Sequence, residues 1–320
     1  VAVYMERKIS AFMQDRLGPM EVGIFGFKGG KKFWGGIGQT IADAVKLLAK
    51  EDIIPKDADR FMMMLAPFII FIASFITFIG VPLSNEFLIS DFNIGILYII
   101  AMGSIGVIGI ILAGWSSNNK WSLYGAMRAA AQIISYEIPI AITLLLPVII
   151  SGGLSVHTIV EWQLDHRWII LHSPFTFIGF LIFFISGIAE TNRTPFDIPE
   201  AESELVAGWM TEYSGFRWSL FFLSEYTNML IISLVTSFIF LGGWGSPLTI
   251  INIIPANYMF LEGPLLGMFW LLLKAIILIF IMMWFRWTFP RLRVDQLMYL
   301  CWKVFIPFAI FNMLGVGIWE

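Results

Sequence analysis

Seven stretches of this chain, residues 61–83, 94–114, 126–150, 171–189, 219–243, 265–285 and 300–318, are each apolar over about the 20 residues that a helix needs to cross a bilayer. Nothing else constrains the fold as much. Inside hydrocarbon every backbone N–H and C=O must find a partner within the protein, which leaves helical bundles and closed barrels. No run shows the ten-residue alternation of a membrane barrel strand. The chain therefore reads as an all-α polytopic membrane protein, in keeping with 58% hydrophobic residues among 320. Val1 to Val3 precede Tyr4-Met5-Glu6-Arg7-Lys8 and read as the stump of one further span. No signal peptide is visible. The expectation is a single membrane domain over 1–320, with seven complete spans and a largely missing first one.

Lys and Arg collect on the cytoplasmic side of membrane proteins, so loop charge sets orientation. The loops 4–60, 115–128, 190–218 and 286–299 hold seventeen Lys/Arg, whereas 84–93, 151–170 and 244–264 hold only Arg167. Loops 4–60 and 190–218 are thereby expected on the cytoplasmic (or matrix or stromal) face. The second of these is unusual for its acids: Glu190, Asp197, Glu200, Glu202, Glu204 and Glu212 stand against Arg193 and Arg217. Acids gathered beside or within a membrane are expensive and point to protons, cations or basic partners.

The first loop is not uniform. Residues 22–38 are rich in Gly and carry Lys28, Lys31 and Lys32, which reads as a flexible basic insertion. After it, Ile37, Ile41, Ala44, Val45 and Leu48 recur at helical spacing against Gln39, Asp43, Lys46 and Lys50. That pattern predicts an amphipathic helix over about 37–50 lying in the membrane interface. It serves either as a plain anchor or as the lining of an opening to the lipid.

Glu137 is the most informative single residue. It sits near the middle of its window, where a charged carboxylate costs roughly 2.5–3.5 kcal/mol or more unless it faces a cavity, a partner or is protonated. Pro139 removes a helical hydrogen bond and frees the carbonyl near Ser135, opening polar backbone beside the acid. The plainer alternative is a neutral, hydrogen-bonded glutamic acid holding helices together. Glu225 lies about two turns into its window and Glu190 ends the preceding one, so with Glu137 they can form a ladder of carboxylates. Lys274 and Lys303 are candidate counter-charges, although Lys303 can snorkel to the surface.

Other signals are weaker. Glu200 and Glu204 share a helix face, and the helix dipole accounts for acids early in a helix. Thr194-Pro195-Phe196-Asp197 reads as a capping turn. Gly103, Gly106, Gly109 and Ala113 suggest a close-packing face. His157, His166 and His172 match no compact metal motif, and the single Cys301 cannot form an internal disulfide or hold an iron–sulfur cluster. No nucleotide fingerprint, phosphate loop or nucleophile triad is present, and nothing points to nucleic acid.

The string Ala189-Glu190-Thr191-Asn192-Arg193-Thr194-Pro195-Phe196-Asp197, continued by Glu200-Ala201-Glu202-Ser203-Glu204-Leu205-Val206-Ala207-Gly208, is specific. It closely resembles the family of H subunits of NADH–quinone oxidoreductases, the counterparts of mitochondrial complex I subunit 1. Glu6-Arg7-Lys8, Gln14 to Pro19, Ala42 to Leu47, Ser135 to Pro139, Glu225 to Asn228 and Arg286 to Arg291 extend the resemblance over nearly the whole chain.

The resemblance implies eight spans joining a peripheral redox arm to a proton-pumping membrane arm. It implies a quinone tunnel opening to the lipid, with Arg7, Arg16, Asp43, Lys46, Glu212 and Arg217 in its lining. It also implies that Glu137, Glu190 and Glu225, with Glu202 and Glu204, belong to the path coupling quinone reduction to proton movement. Quinone would be the substrate, and this chain alone would bind no cofactor or metal. Iron–sulfur clusters, FMN and NADH would belong to partner subunits. Those partners would be quinone-site and iron–sulfur subunits of the peripheral arm, and small and antiporter-like subunits of the membrane arm. The setting would be an energy-transducing membrane, bacterial plasma membrane or mitochondrial inner membrane. The chain departs from the family in its long stretch 22–38, in Thr40 where a proline is usual, and in its long loop 151–170. Two rivals are the homologous membrane subunit of an energy-converting hydrogenase or ferredoxin-dependent complex, and a stand-alone cation/proton antiporter. A visible internal repeat is lacking, which counts against the antiporter.

Overall fold

The computed structural model describes residues 2–22, 36–88, 90–199, 202–247 and 263–320, without the side chains of Glu202 and Ser203. Most of the Gly/Lys-rich stretch, Glu200 and residues 248–262 of the loop 244–264 lie outside the described residues. The described chain is helical, with eleven helices and no strand among those residues. In order they are α1 (Ala2–Met13), α2 (Gln39–Ala49), α3 (Arg60–Thr77), α4 (Gly95–Ser116), α5 (Lys120–Ser151) and α6 (Val156–Asp165), followed by α7 (Pro174–Glu190), α8 (Glu202–Leu205), α9 (Gly215–Phe240), α10 (Pro264–Thr288) and α11 (Val294–Trp319).

Each of the seven apolar windows has become a helix. Six of these are long and apolar enough to span, and α7 is an apolar helix of 17 residues. Local chemistry sets their starts. Asp59 accepts from the Phe61 and Met62 amides at the head of α3, and Asn119 accepts from Trp121 at the head of α5. Ser173 and Thr176 form a reciprocal capping box on α7, so donors that a helix start would orphan are satisfied. The amphipathic helix is present as α2, shorter than expected at both ends, with Ile41, Val45 and Leu48 exposed. Leucine-sized side chains presented outward beside spanning helices fit the lipid interface.

Antiparallel neighbours α3, α4 and α5 pack in sequence; α7 and α11 pack on α5, and α9 packs on α3 and α10. Of the glycine face expected on α4, only part packs closely. A Cβ on Gly109 would come within 2.4 Å of Ile70, but one on Gly106 would meet nothing and one on Gly103 would approach only Glu190 Oε1, at 3.8 Å. Close packing appears instead where α5 crosses residues 208–213: a Cβ on Gly125 would lie 2.8 Å from the Gly208 Cα. The capping turn expected at Thr194–Asp197 starts no helix, since α8 begins only at Glu202.

Candidate functional site

The loop after α7 is folded onto the bundle rather than left hanging. Gln132 Nε2 of α5 donates to the carbonyls of Ala189 and Phe196, each at 2.8 Å, and lies 3.2 Å from Asn192 Oδ1. Phe196 and Ile198 are buried, with Phe196 against the Tyr136 ring. One buried amide on α5 thus pins the segment 189–196, which carries Glu190 and Arg193.

Arg193 points into a buried charge cluster with Glu6 of α1. Its Nη1 donates to Glu6 Oε1 at 2.9 Å, and its guanidinium lies 4.6 Å from the Tyr226 ring centre. Arg286 of α10 donates to the same Glu6 oxygen, and the Tyr226 hydroxyl donates to the other. Arg193 Nη2 is also 3.8 Å from Glu225 Oε2. Burial by itself would raise the Glu6 carboxyl, but the charges of Arg193 and Arg286 and the Tyr226 hydrogen bond outweigh it and hold it below its ordinary value. A carboxylate taken out of water beside two cations stays ionised.

This cluster lines a cavity of about 730 Å³ between α1, α9, α10 and the 192–197 segment. Arg7, Arg16, Gln39 and Glu225 also face it. The volume falls within the range of small-molecule sites, ~300–1,000 Å³. Arg7 pairs with Asp43 of α2 at 2.6 Å, which ties α2 to the cavity rim.

A second, smaller cavity of about 60 Å³ lies farther along the bundle. Glu137, Glu190 and Asn228 face it, among Ile140, Phe183 and Val235. Ser104 of α4 donates to Glu137 Oε1. At ~30 Å³ per water it has room for roughly two. Asn228 stands three residues after Glu225 on α9, so one helical turn carries a side chain facing each cavity.

The other anticipated residues fall elsewhere. Arg217 pairs with Asp52 at 2.6 Å through Nε and Nη2, and Asn119 donates to Glu212 at 2.6 Å. These contacts join the chain after α2 to the starts of α5 and α9. Lys46 is exposed on α2. Glu204 is exposed and paired with Arg128 at 2.7 Å; that hydrogen bond lowers its carboxyl below the ordinary value. The side chain of Glu202 is not among the described ones.

Lys274 corrects an expectation. Its ammonium is no counter-charge for the carboxylates: it donates to the carbonyls of Leu241, Gly243 and Gly245 at 2.6, 2.9 and 2.7 Å, beside the Trp168 ring, at the far end of α9. Lys303 is exposed and sits over the Tyr299 ring. The cations beside Glu6 and Glu225 are instead Arg193 and Arg286. Their sequence signal was the presence of basic residues in otherwise acidic or apolar surroundings, and nothing in their spacing paired them with Glu6. His157 hydrogen bonds Asn85, and His172 pairs with Glu320. No group of metal-binding side chains occurs among the described residues.

A family model described as NADH dehydrogenase matches residues 1–317. The chain is 51% identical over 321 residues to the H subunit of the NADH-quinone oxidoreductase of Chlorobaculum parvum, covering 99% of this chain and 86% of that one. It is 48% identical over 316 residues to the H subunit of Bacteroides thetaiotaomicron, covering 98% and 84%. To that of a Geobacillus species it is 48% identical over 311 residues, covering 97% and 86%. On a family match over nearly its whole length, and on relatives this similar, the chain belongs to the NADH dehydrogenase family.

Proposed function

We propose that this chain is the membrane subunit of a proton-translocating NADH–quinone oxidoreductase and contains part of the quinone tunnel and the carboxylate path leading from it. The observation that carries the reading is the presence of two cavities one helical turn apart on α9, with Glu225 facing the larger and Asn228 the smaller. The larger has the volume for a quinone headgroup, and its rim reaches the interfacial helix through Arg7 and Asp43. Partner subunits supply the electrons; this chain binds, orients and handles protons.

Negative charge arriving in the larger cavity meets Arg193 and Arg286, cations already oriented by Glu6, so little reorganisation is needed to stabilise it. Arg193 is shared between Glu6 and Glu225, so a change of charge in the cavity alters the field at Glu225. From there the path continues to Glu190 and Glu137, which line one space that admits water. The docking face is the exposed part of the segment 190–218, around Glu204, with the exposed Arg291 and Arg293, turned toward the peripheral arm on the cytoplasmic side.

Glu137→Gln keeps the volume and most hydrogen bonding while removing the titratable proton. In the assembled complex in inside-out vesicles, quinone-linked NADH oxidation and acidification of the lumen should fall together by about a hundredfold or more, the scale of a lost proton-transfer group. Glu137→Asp should keep part of both. A fully assembled Gln variant that pumps at the normal rate overturns the path. Val3→Trp, which intrudes on the larger cavity, should raise the KM for quinone, and an unchanged KM counts against the tunnel.

A further inference from the structure

Pro139 has no amide hydrogen, so the helical bond from residue 139 to the Ser135 carbonyl is missing from α5. A carbonyl left unpaired in a membrane-buried core costs free energy, and it needs a donor from outside the helix. In this protein the donor is Cys301: its Sγ lies 3.0 Å from the Ser135 carbonyl oxygen, and the thiol is fully buried. Cys301 belongs to a π-helical turn, Leu300–Phe305, within α11. One turn earlier on α11, the Leu297 carbonyl accepts from the Tyr136 hydroxyl at 3.0 Å.

Two consecutive residues of α5, Ser135 and Tyr136, are therefore bonded to α11 just before Glu137. Successive residues of an α-helix are rotated by about 100°. A clamp on 135 and 136 thus sets the direction of residue 137, which turns away from α11 toward Ser104 on α4 and the smaller cavity.

We infer that Cys301 is a positioning residue for Glu137: its thiol stands in for the amide that Pro139 lacks and, with Tyr136, holds the turn of α5 that aims the carboxyl at Ser104. The inference rests on the role proposed above for Glu137. A buried cysteine that merely fills volume would act through size alone. A donor acts through its hydrogen, and only while the proline is present.

The test is a double-mutant cycle in the assembled complex, in inside-out vesicles, read as the pH profile of quinone-linked NADH oxidation per assembled complex. Cys301→Ala should lower turnover by about three- to tenfold, the scale of one lost hydrogen bond, and displace the pH midpoint. Cys301→Ser, which keeps a donor, should retain most of the turnover and the parental midpoint. Pro139→Ala restores the amide, so adding Cys301→Ala to it should change nothing further. An unchanged Cys301→Ala profile, or an equal loss in the parental and the Pro139→Ala backgrounds, overturns the inference. If Cys301→Ala fails to assemble, the Pro139→Ala/Cys301→Ala pair should restore assembly, and its failure to do so overturns the inference too. Glu137→Gln run in parallel separates the two readings: normal turnover in that variant removes the role of Glu137, whatever the cysteine does.

Discussion

Arg193 Nη1 lies 2.9 Å from Glu6 Oε1, joining the loop after α7 to a helix 187 residues earlier in the chain. Both side chains are buried, and Arg286 and Tyr226 complete the carboxylate's partners. The larger cavity is built around this contact.

Replacing Glu6 with Gln leaves Arg193 buried without its nearest counter-charge, a loss of roughly 3–5 kcal/mol for a buried pair. The sign of its pH dependence follows from the depressed Glu6 carboxyl. Its stabilisation is fully present above the unfolded-state carboxyl value and is lost as pH falls through the lower folded value. The thermal stability of parent and Gln variant should therefore differ most at neutral pH and converge in acid. Thermal inactivation of the solubilised complex across pH reads this; a gap that widens in acid contradicts it.

Lys274→Met should act on stability rather than on chemistry. The ammonium satisfies three main-chain carbonyls at the end of α9. Methionine leaves them without that donor, at about 1–3 kcal/mol for each unsatisfied buried group. The amount of assembled complex and its melting temperature should drop, with turnover per assembled complex close to parental. Normal assembly with abolished turnover would instead put Lys274 among the proton-handling groups.

Gly103 leaves the space that Glu190 occupies, since a Cβ there would lie 3.8 Å from Glu190 Oε1. Gly103→Ala should be tolerated. Gly103→Leu should fill the smaller cavity, leave no room for water there and reduce proton-coupled turnover by about a hundredfold or more, the scale of a lost proton-transfer group. Pumping by an assembled Leu variant at the parental rate would show that the cavity is not on the path.

Orientation is open to a direct check, because Cys301 is fully buried and does not compete for labelling. Glu51 and Asp165 are both exposed and lie in loops of opposite charge bias. With cysteine at either position, a membrane-impermeant maleimide should label Glu51→Cys from the cytoplasmic face and Asp165→Cys from the other. Labelling of both from one face defeats the assignment.

Seven helices, their order and their all-α bundle were legible in the residues. A bilayer imposes a length and an apolar requirement that every span must meet locally, so each leaves its own mark in a window of about 20 residues. The motifs around Glu190 and Glu137 likewise carried the family resemblance. The partners of the charges were not legible. Lys274 looked like a counter-ion because a buried cation needs acceptors, but its acceptors are backbone carbonyls, which every residue carries and no composition reveals. Glu6 found Arg193 and Arg286 across 187 and 280 positions. Pro139 announced a free carbonyl, and only the packing of α11 supplied Cys301 to fill it. Periodicity records which way one helix faces; a single contact between distant helices leaves no period, so tertiary structure alone decides it.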